Sequence, residues 1–178
     1  MNYYISDMHF GHRNVLKYDK RPFSSVEEMD EILISNWNRK VKDHDDIWIL
    51  GDFCYHSEKD PAFYLKQLKG KKHLIVGNHD RVTLSSDSAI RYFKSIERMQ
   101  HIKDGKENII MCHFPIADWN AKKRGCYHIY GHIHNARDDI YEFMRKQERA
   151  LNAGCMINNY EPATLEELIE NNKRFQSQ

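Results

Sequence analysis

The sequence predicts an α/β domain, and three observations carry that expectation. Apolar runs of strand length recur along the chain, and cap-initiated stretches at helical spacing fall between them. Run after run then ends on an Asp, Asn or His.

Taken in order, "NYYIS" (2–6) reads as the first strand. Ser25-x-x-Glu28 forms a capping box ahead of a helix with Met29, Ile32, Leu33, Trp37 and Val41 at helical spacing. "DIWIL" (46–50) is the second strand. Asp60 and Pro61 open another helix that runs to near Gly70. "HLIV" (73–76) is a strand, and "SIERMQHI" (95–102) reads as one more. A hairpin turn centred on Asp104-Gly105 leads into "NIIMC" (108–112), and "CYHIY" (126–130) follows. Asp138 or Asp139 caps a helix with Ile140, Phe143, Met144 and Gln147 along one stripe. A strand lies around "LNAGCMI" (151–157), and Thr164-x-x-Glu167 opens the last helix. No repeat, low-complexity tract or linker interrupts the series, so the expectation is a single domain over residues 1–178.

The totals narrow the class. Apolar residues make up 40% of 178, enough for a packed core rather than disorder. Lys and Arg number 27 against 26 Asp and Glu, a balance that favours no polyanionic partner. No basic segment with an apolar run precedes the first strand, and no run is long enough to span a bilayer. A cytoplasmic protein with no membrane contact is expected. Cys54, Cys112, Cys126 and Cys155 are scattered without a C-x-x-C pair and read as small buried thiols in a reducing compartment. The eleven histidines are the oddity.

Many of those histidines stand at strand ends. The first strand delivers Asp7 and then His9; "DIWILGD" delivers Asp52; "HLIVGN" delivers Asn78. "NIIMCH" delivers His113, and "YHIYGH" delivers His132 with His134 behind it. The carboxyl edge of an open α/β sheet is where sites are built. In extended backbone, i and i+2 side chains share a face, so Asp7/His9 and His132/His134 would each send two ligands to one place. Gly51, Gly77 and Gly131 precede ligands and allow close backbone approach. Imidazole mixed with hard oxygen suits manganese, iron or zinc better than calcium or a thiolate zinc site. Seven such ligands exceed the needs of one ion, so two ions sharing a carboxylate are expected.

D-x-H, G-D, G-N-H-D, H and G-H-x-H, in this order, resemble the calcineurin-like metallophosphoesterase superfamily. "DMHFGHRN", "HLIVGNHD", "YGHIHN" and "LNAGCMINNYEPATLEELI" resemble its small bacterial and phage-type phosphoesterases. The resemblance spans essentially the whole chain. It implies a four-layer α-β-β-α fold, two mixed sheets flanked by helices, with a dinuclear centre at the rim. By that pattern Asp7, His9 and His134 hold one ion, Asn78, His113 and His132 the other, and Asp52 bridges them. The ions would be divalent, manganese foremost, with iron, zinc or nickel as alternatives. The resemblance also assigns His79 as general acid and Asp80 as its orienting partner. One departure is Cys155-Met156, where the family pattern often carries a small apolar residue and an acid.

Two ions about 3.5–4 Å apart clamp a phosphoryl oxygen and activate a water, while an alkoxide leaving group needs a proton. The expected activity is therefore metal-dependent hydrolysis of a small phosphate ester, monoester or diester. A nuclease or cyclic-nucleotide phosphodiesterase is the alternative, and a non-catalytic scaffold of the same fold comes after it. His12 either reaches substrate phosphate or bonds its own loop, and His56 is left open. Tyr55 and Trp119 read as packing before base stacking, and Lys122–Arg124 as a solvated loop before an anion contact.

Overall fold

In a computed structural model describing residues 1–178, eight strands form two four-stranded sheets. The first contains β1 (Asn2–Ile5), β2 (Asp46–Ile49), β3 (Lys71–Ile75) and β4 (Phe93–Glu97), in that order and all parallel. Ala163 adds an antiparallel bridge to Tyr4. The second contains β5 (Met99–Asp104), β6 (Glu107–Cys112), β7 (Tyr127–Tyr130) and β8 (Ala150–Asn152). Here β5 and β6 run antiparallel, and the other pairs are parallel.

The period of two in the apolar runs explains the layers. Tyr3, Ile5, Ile47 and Ile49 face outward into a core closed by Met29, Leu33 and Trp37 of α2 (Val26–Lys40). The alternate residues Tyr4, Trp48 and Leu50 face inward, meeting Ile109, Met111, Ile129 and Leu151 of the second sheet. On the far side Ile110, Tyr130 and Ala150 pack with Tyr141 and Met144 of α6 (Asp139–Met144). The result is helix, sheet, sheet, helix, the architecture the resemblance implies. The edge strands β4 and β5 carry little of this core, and α7 (Leu165–Gln176) covers the sandwich through Leu165 and Leu168. No helix is long and apolar enough to cross a membrane.

Several local expectations change. Residues 95–102 are not one strand: the chain breaks at Arg98, leaving β4 in one sheet and β5 in the other. Both are half-exposed edges, so no apolar pattern marks the break. Ser25 caps Glu28 N at 3.1 Å, but the Glu28 carboxylate returns to Ser24 rather than Ser25, so that box is half made. The Thr164/Glu167 box is complete. The helix opened by Asp60, α3 (Pro61–Leu65), closes after five residues, and turns carry the chain to Gly70. Residues 151–157 form a strand only to Asn152 and then turn. On α6 the buried residues are Tyr141 and Met144, while Ile140 and Phe143 are exposed. Tyr141 packs edge-on against Phe175 of α7, ring centroids 5.5 Å apart, and that contact sets the phase of a helix too short to fix it alone. The short helices α1 (Val15–Tyr18), α4 (Arg81–Ser85) and α5 (Asp87–Ile90) carried no sequence signal.

Candidate metal centre

The carboxyl ends of β1, β2, β3, β6 and β7 meet at one rim, and the seven expected ligands converge there. Ligand atoms of Asp7, His9, Asp52 and His134 all lie within 4.8 Å of one another. His9 Nε2 sits 3.2 Å from His134 Nε2, which is 3.6 Å from Asp7 Oδ1. A second group gathers on Asn78 Oδ1, with His113 Nε2 at 3.0 Å and His132 Nδ1 at 2.9 Å. Asp52 Oδ2 stands between the groups, 3.6 Å from Nε2 of both His9 and His113.

Convergence does not come from extended backbone. Asp7, His9, Asp52, His132 and His134 all take left-handed conformations, with φ of 57°, 52°, 53°, 70° and 50°. Such residues cost on the order of 1–3 kcal/mol each and persist only where their surroundings over-determine them. Here the surroundings are cross-loop hydrogen bonds. His132 N donates to both Asp7 carboxylate oxygens at 3.1 Å, His79 N to Asp52 Oδ1 at 2.8 Å, and His9 N to Asp52 O at 3.0 Å. Gly131 is required by the approach itself, because a Cβ there would collide with Ser6 Oγ and stand 2.7 Å from Asp7 Oδ2.

Ring orientation tests whether the donors suit a cation. His113 Nδ1 donates to the Leu50 carbonyl at 2.6 Å. His134 Nδ1 donates to the Asp19 carboxylate at 2.8 and 2.9 Å. Taken neutral, each ring therefore aims an Nε2 lone pair into the site. That lone pair meets other acceptors: Asn78 Oδ1 and Asp52 Oδ2 for His113, Asp7 Oδ1 for His134. Acceptors facing acceptors at a rim whose Asp7, Asp52 and His113 are buried repel unless a cation lies among them. The residues fit a divalent metal.

The electrostatics keep His9 and His132 in the ligating form and oppose it at His134. Burial pushes the Asp52 carboxyl up to about 7, against the pull of His113. Burial lowers His9, with His134 and Arg21 adding to the effect. Burial and the neighbouring His56 bring His12 down to about 4, and burial also lowers His79 and His132. Burial would lower His134 as well, but its bond to Asp19 and the charges of Asp7 and Asp19 outweigh it and raise the ring. Neutral imidazole is the form that ligates metal.

Beside the first group opens a cleft of about 360 Å³. His12, Asn14, Tyr18, Tyr55 and His56 line it with His9, His79 and His134. His12 is buried with Nδ1 unpartnered, so it does not bond its own loop through that atom. Tyr55 packs on His79, ring centroids 4.1 Å apart. Trp119 is buried and donates to Cys126 O at 2.8 Å, a packing role. Lys122 folds over the Trp119 ring and donates to Ala117 O and Gln147 Oε1, while Lys123 and Arg124 are exposed. None of the three lines this cleft.

Asp80 makes no hydrogen bond to the His79 ring that the resemblance has it orient, although its charge bears on that ring. Asp80 is fully buried, and its oxygens accept from the backbone of Gly77 at 2.7 Å, Phe53 at 2.9 Å and Asp52 at 3.0 Å. It clasps the β2 and β3 loops together, with no bond to the His79 ring. Sequence reasoning also missed Asp19 and Arg21, because nothing separates them from the charged run "KYDKR" around them. Cys155 is buried with its thiol on Asp7 O at 3.4 Å, and Met156 lies beside it, packed against the outer core.

Fold and site define a two-sheet α/β sandwich able to hold metal at its rim. The chain belongs to the calcineurin-like phosphoesterase superfamily, whose domain model matches residues 3–166. It is 34% identical over 170 residues to the uncharacterized protein MJ1445 of Methanocaldococcus jannaschii, covering 94% of this chain and 89% of that one. The Gene 66 protein of Mycobacterium phage L5 is 26% identical over 160 residues, covering 75% of this chain and 77% of its own. Among solved structures, AQ665 of Aquifex aeolicus, a protein of unknown function, matches with a TM-score of 0.75 at 26% identity, covering 96% and 98% of the two chains.

Proposed function

We propose that the protein is a cytoplasmic hydrolase of small phosphate esters that uses two divalent ions, manganese foremost. The observation that carries this reading is Asp52 Oδ2, equidistant at 3.6 Å from an imidazole of each ligand group. Asp7, His9 and His134 would hold one ion, Asn78, His113 and His132 the other, and Asp52 both. Ions so held supply Lewis acidity toward a phosphoryl oxygen and an activated water.

The chain's own residues do the rest. The cleft beside the centre admits the ester between aromatic and imidazole walls. As water attacks phosphorus in line, the bond to the leaving oxygen breaks and that oxygen takes a proton. His79 lines the cleft and its ring has no protein hydrogen-bond partner, which suits it to give that proton from a ring nitrogen. No Lys or Arg lines the cleft, which favours a small ester over a nucleic-acid strand.

The test is a panel of phosphate monoesters and diesters run on chelated protein and again after metal is restored. Chelation should abolish hydrolysis, and manganese should restore it better than magnesium, because imidazole-rich sites disfavour magnesium. Full activity after exhaustive metal removal would overturn the reading.

A further inference from the structure

We propose that Asp19, held by Arg21, is a positioning residue for the metal centre, fixing the tautomer and angle of His134 from outside the ligand set. This rests on the two-ion reading above. Asp19 follows the short helix α1 and accepts from His134 Nδ1 through both carboxylate oxygens, at 2.8 and 2.9 Å. Its Oδ2 also accepts from Arg21 Nε at 3.0 Å and Nη2 at 2.9 Å. The same guanidinium donates to Asp7 O and Met8 O, both at 2.8 Å. One planar fork thus grips the loop that presents Asp7 and His9 and the acid that presents His134.

The burial argues that this pair is not there for stability. The Arg21 side chain is 0% exposed and that of Asp19 8%. Removing both charges from water is costly, and an apolar pair often does as well. What an apolar pair lacks is an acceptor for His134 Nδ1. Without it, the proton could sit on Nε2, the nitrogen that faces His9 and Asp7. Acceptors of this kind fix tautomer and raise ligand basicity, and their loss weakens metal binding by about 10–100-fold. Lysine could replace the charge of Arg21 but not its fork.

Three variants test the assignment: Asp19→Ala, Asp19→Asn and Arg21→Lys. Ring ¹⁵N chemical shifts of His134 in metal-free protein, at a pH where the ring is neutral, read the tautomer directly. Wild type and Asp19→Asn should hold the proton on Nδ1, since the amide oxygen accepts the same bond, while Asp19→Ala should lose that preference. Titration with manganese should find one of two binding events weakened about 10–100-fold in Asp19→Ala, and the other unchanged. Asp19→Asn and Arg21→Lys should fall between Asp19→Ala and wild type. If Asp19→Ala does not fold, the near-isosteric Asp19→Asn carries the test through the missing carboxylate charge, with manganese affinity lowered at one event only. Wild-type tautomer in Asp19→Ala, or wild-type affinity at both events in the folded Asp19 variants, would overturn the proposal. A wild type that binds no manganese would instead sink the two-ion reading, and the metal-free tautomer measurement would still decide the role of Asp19.

Discussion

The two halves of the candidate centre are built by different means. Around Asp7, His9 and His134 the chain spends side chains: two carboxylates, a buried Arg21–Asp19 pair and left-handed backbone at all three residues. Around Asn78, His113 and His132 only His132 is left-handed, and backbone takes a larger share. The His113 ring is aimed by the Leu50 carbonyl, and the loop carrying Asn78 is clasped through the Gly77 amide by Asp80. A backbone acceptor cannot be removed by substitution, whereas a side-chain acceptor can. The His134 ring can therefore lose its acceptor through a point mutation outside the ligand set, and the His113 ring cannot.

The largest expected effect falls where the halves meet. Asp52→Ala should lose both ions and drop hydrolysis to background, because each group loses the carboxylate it shares with the other. Metal content by elemental analysis, beside rates on one ester, decides this. An Asp52→Ala protein that keeps both ions would break the description of Asp52 as their common ligand.

A middle-sized effect separates His79 from Asp80, neighbours in sequence with different surroundings. His79→Asn should keep the metals and the fold, yet slow alkyl esters by about 10²–10⁴-fold. Nitrophenyl esters, whose leaving anion is already stable, should slow far less. Asp80→Ala should act instead on stability, because it strips the acceptor from two buried backbone N–H groups, those of Asp52 and Phe53, and from the half-buried one of Gly77. Each such group left unpaired costs about 1–3 kcal/mol. Denaturant midpoints and ester rates on both variants check this division. Equal slowing of both esters by His79→Asn would remove it from the role of acid.

The gathering of ligands was legible in the sequence because β1, β2, β3, β6 and β7 are short apolar runs that stop at a polar residue. Their sheet order was not, since strand pairing is a long-range choice that local alternation does not encode. The i, i+2 spacing did bring Asp7 and His9 into one group, but through left-handed kinks rather than strand geometry. His132 and His134 part instead, one ring meeting Asn78 and the other His9. Asp19, Arg21 and the clasp made by Asp80 stayed hidden for a related reason. Each works by touching backbone or a residue distant in the chain, and a charged residue that does so carries the same letters as a solvated one.

The smallest effect concerns the segment that leaves His113 in the backbone-built half. His128, on the outer face of the second sheet, is fully buried; its Nδ1 meets Ile110 O at 3.3 Å, and its Nε2 accepts from Ile116 N at 3.2 Å. Trp119 and Tyr130 flank the ring, and Lys122 is the charge that bears on it. Burial lowers this imidazole from 6.5 to about 4, so the unfolded chain binds its proton at a pH where the folded one does not. Stability from His128 is therefore full above about pH 6.5 and declines as pH falls toward 4, by at most about 3 kcal/mol. Protonated, the ring can no longer accept the Ile116 N–H, and the chain beyond His113 loses its anchor. His128→Gln cannot titrate, so the stability difference between wild type and variant should shrink or reverse between pH 6.5 and 4. Urea midpoints across that range measure it on chelated protein. A difference that stays constant with pH would mean the ring is not held neutral, and the acid sensitivity would then belong to other groups.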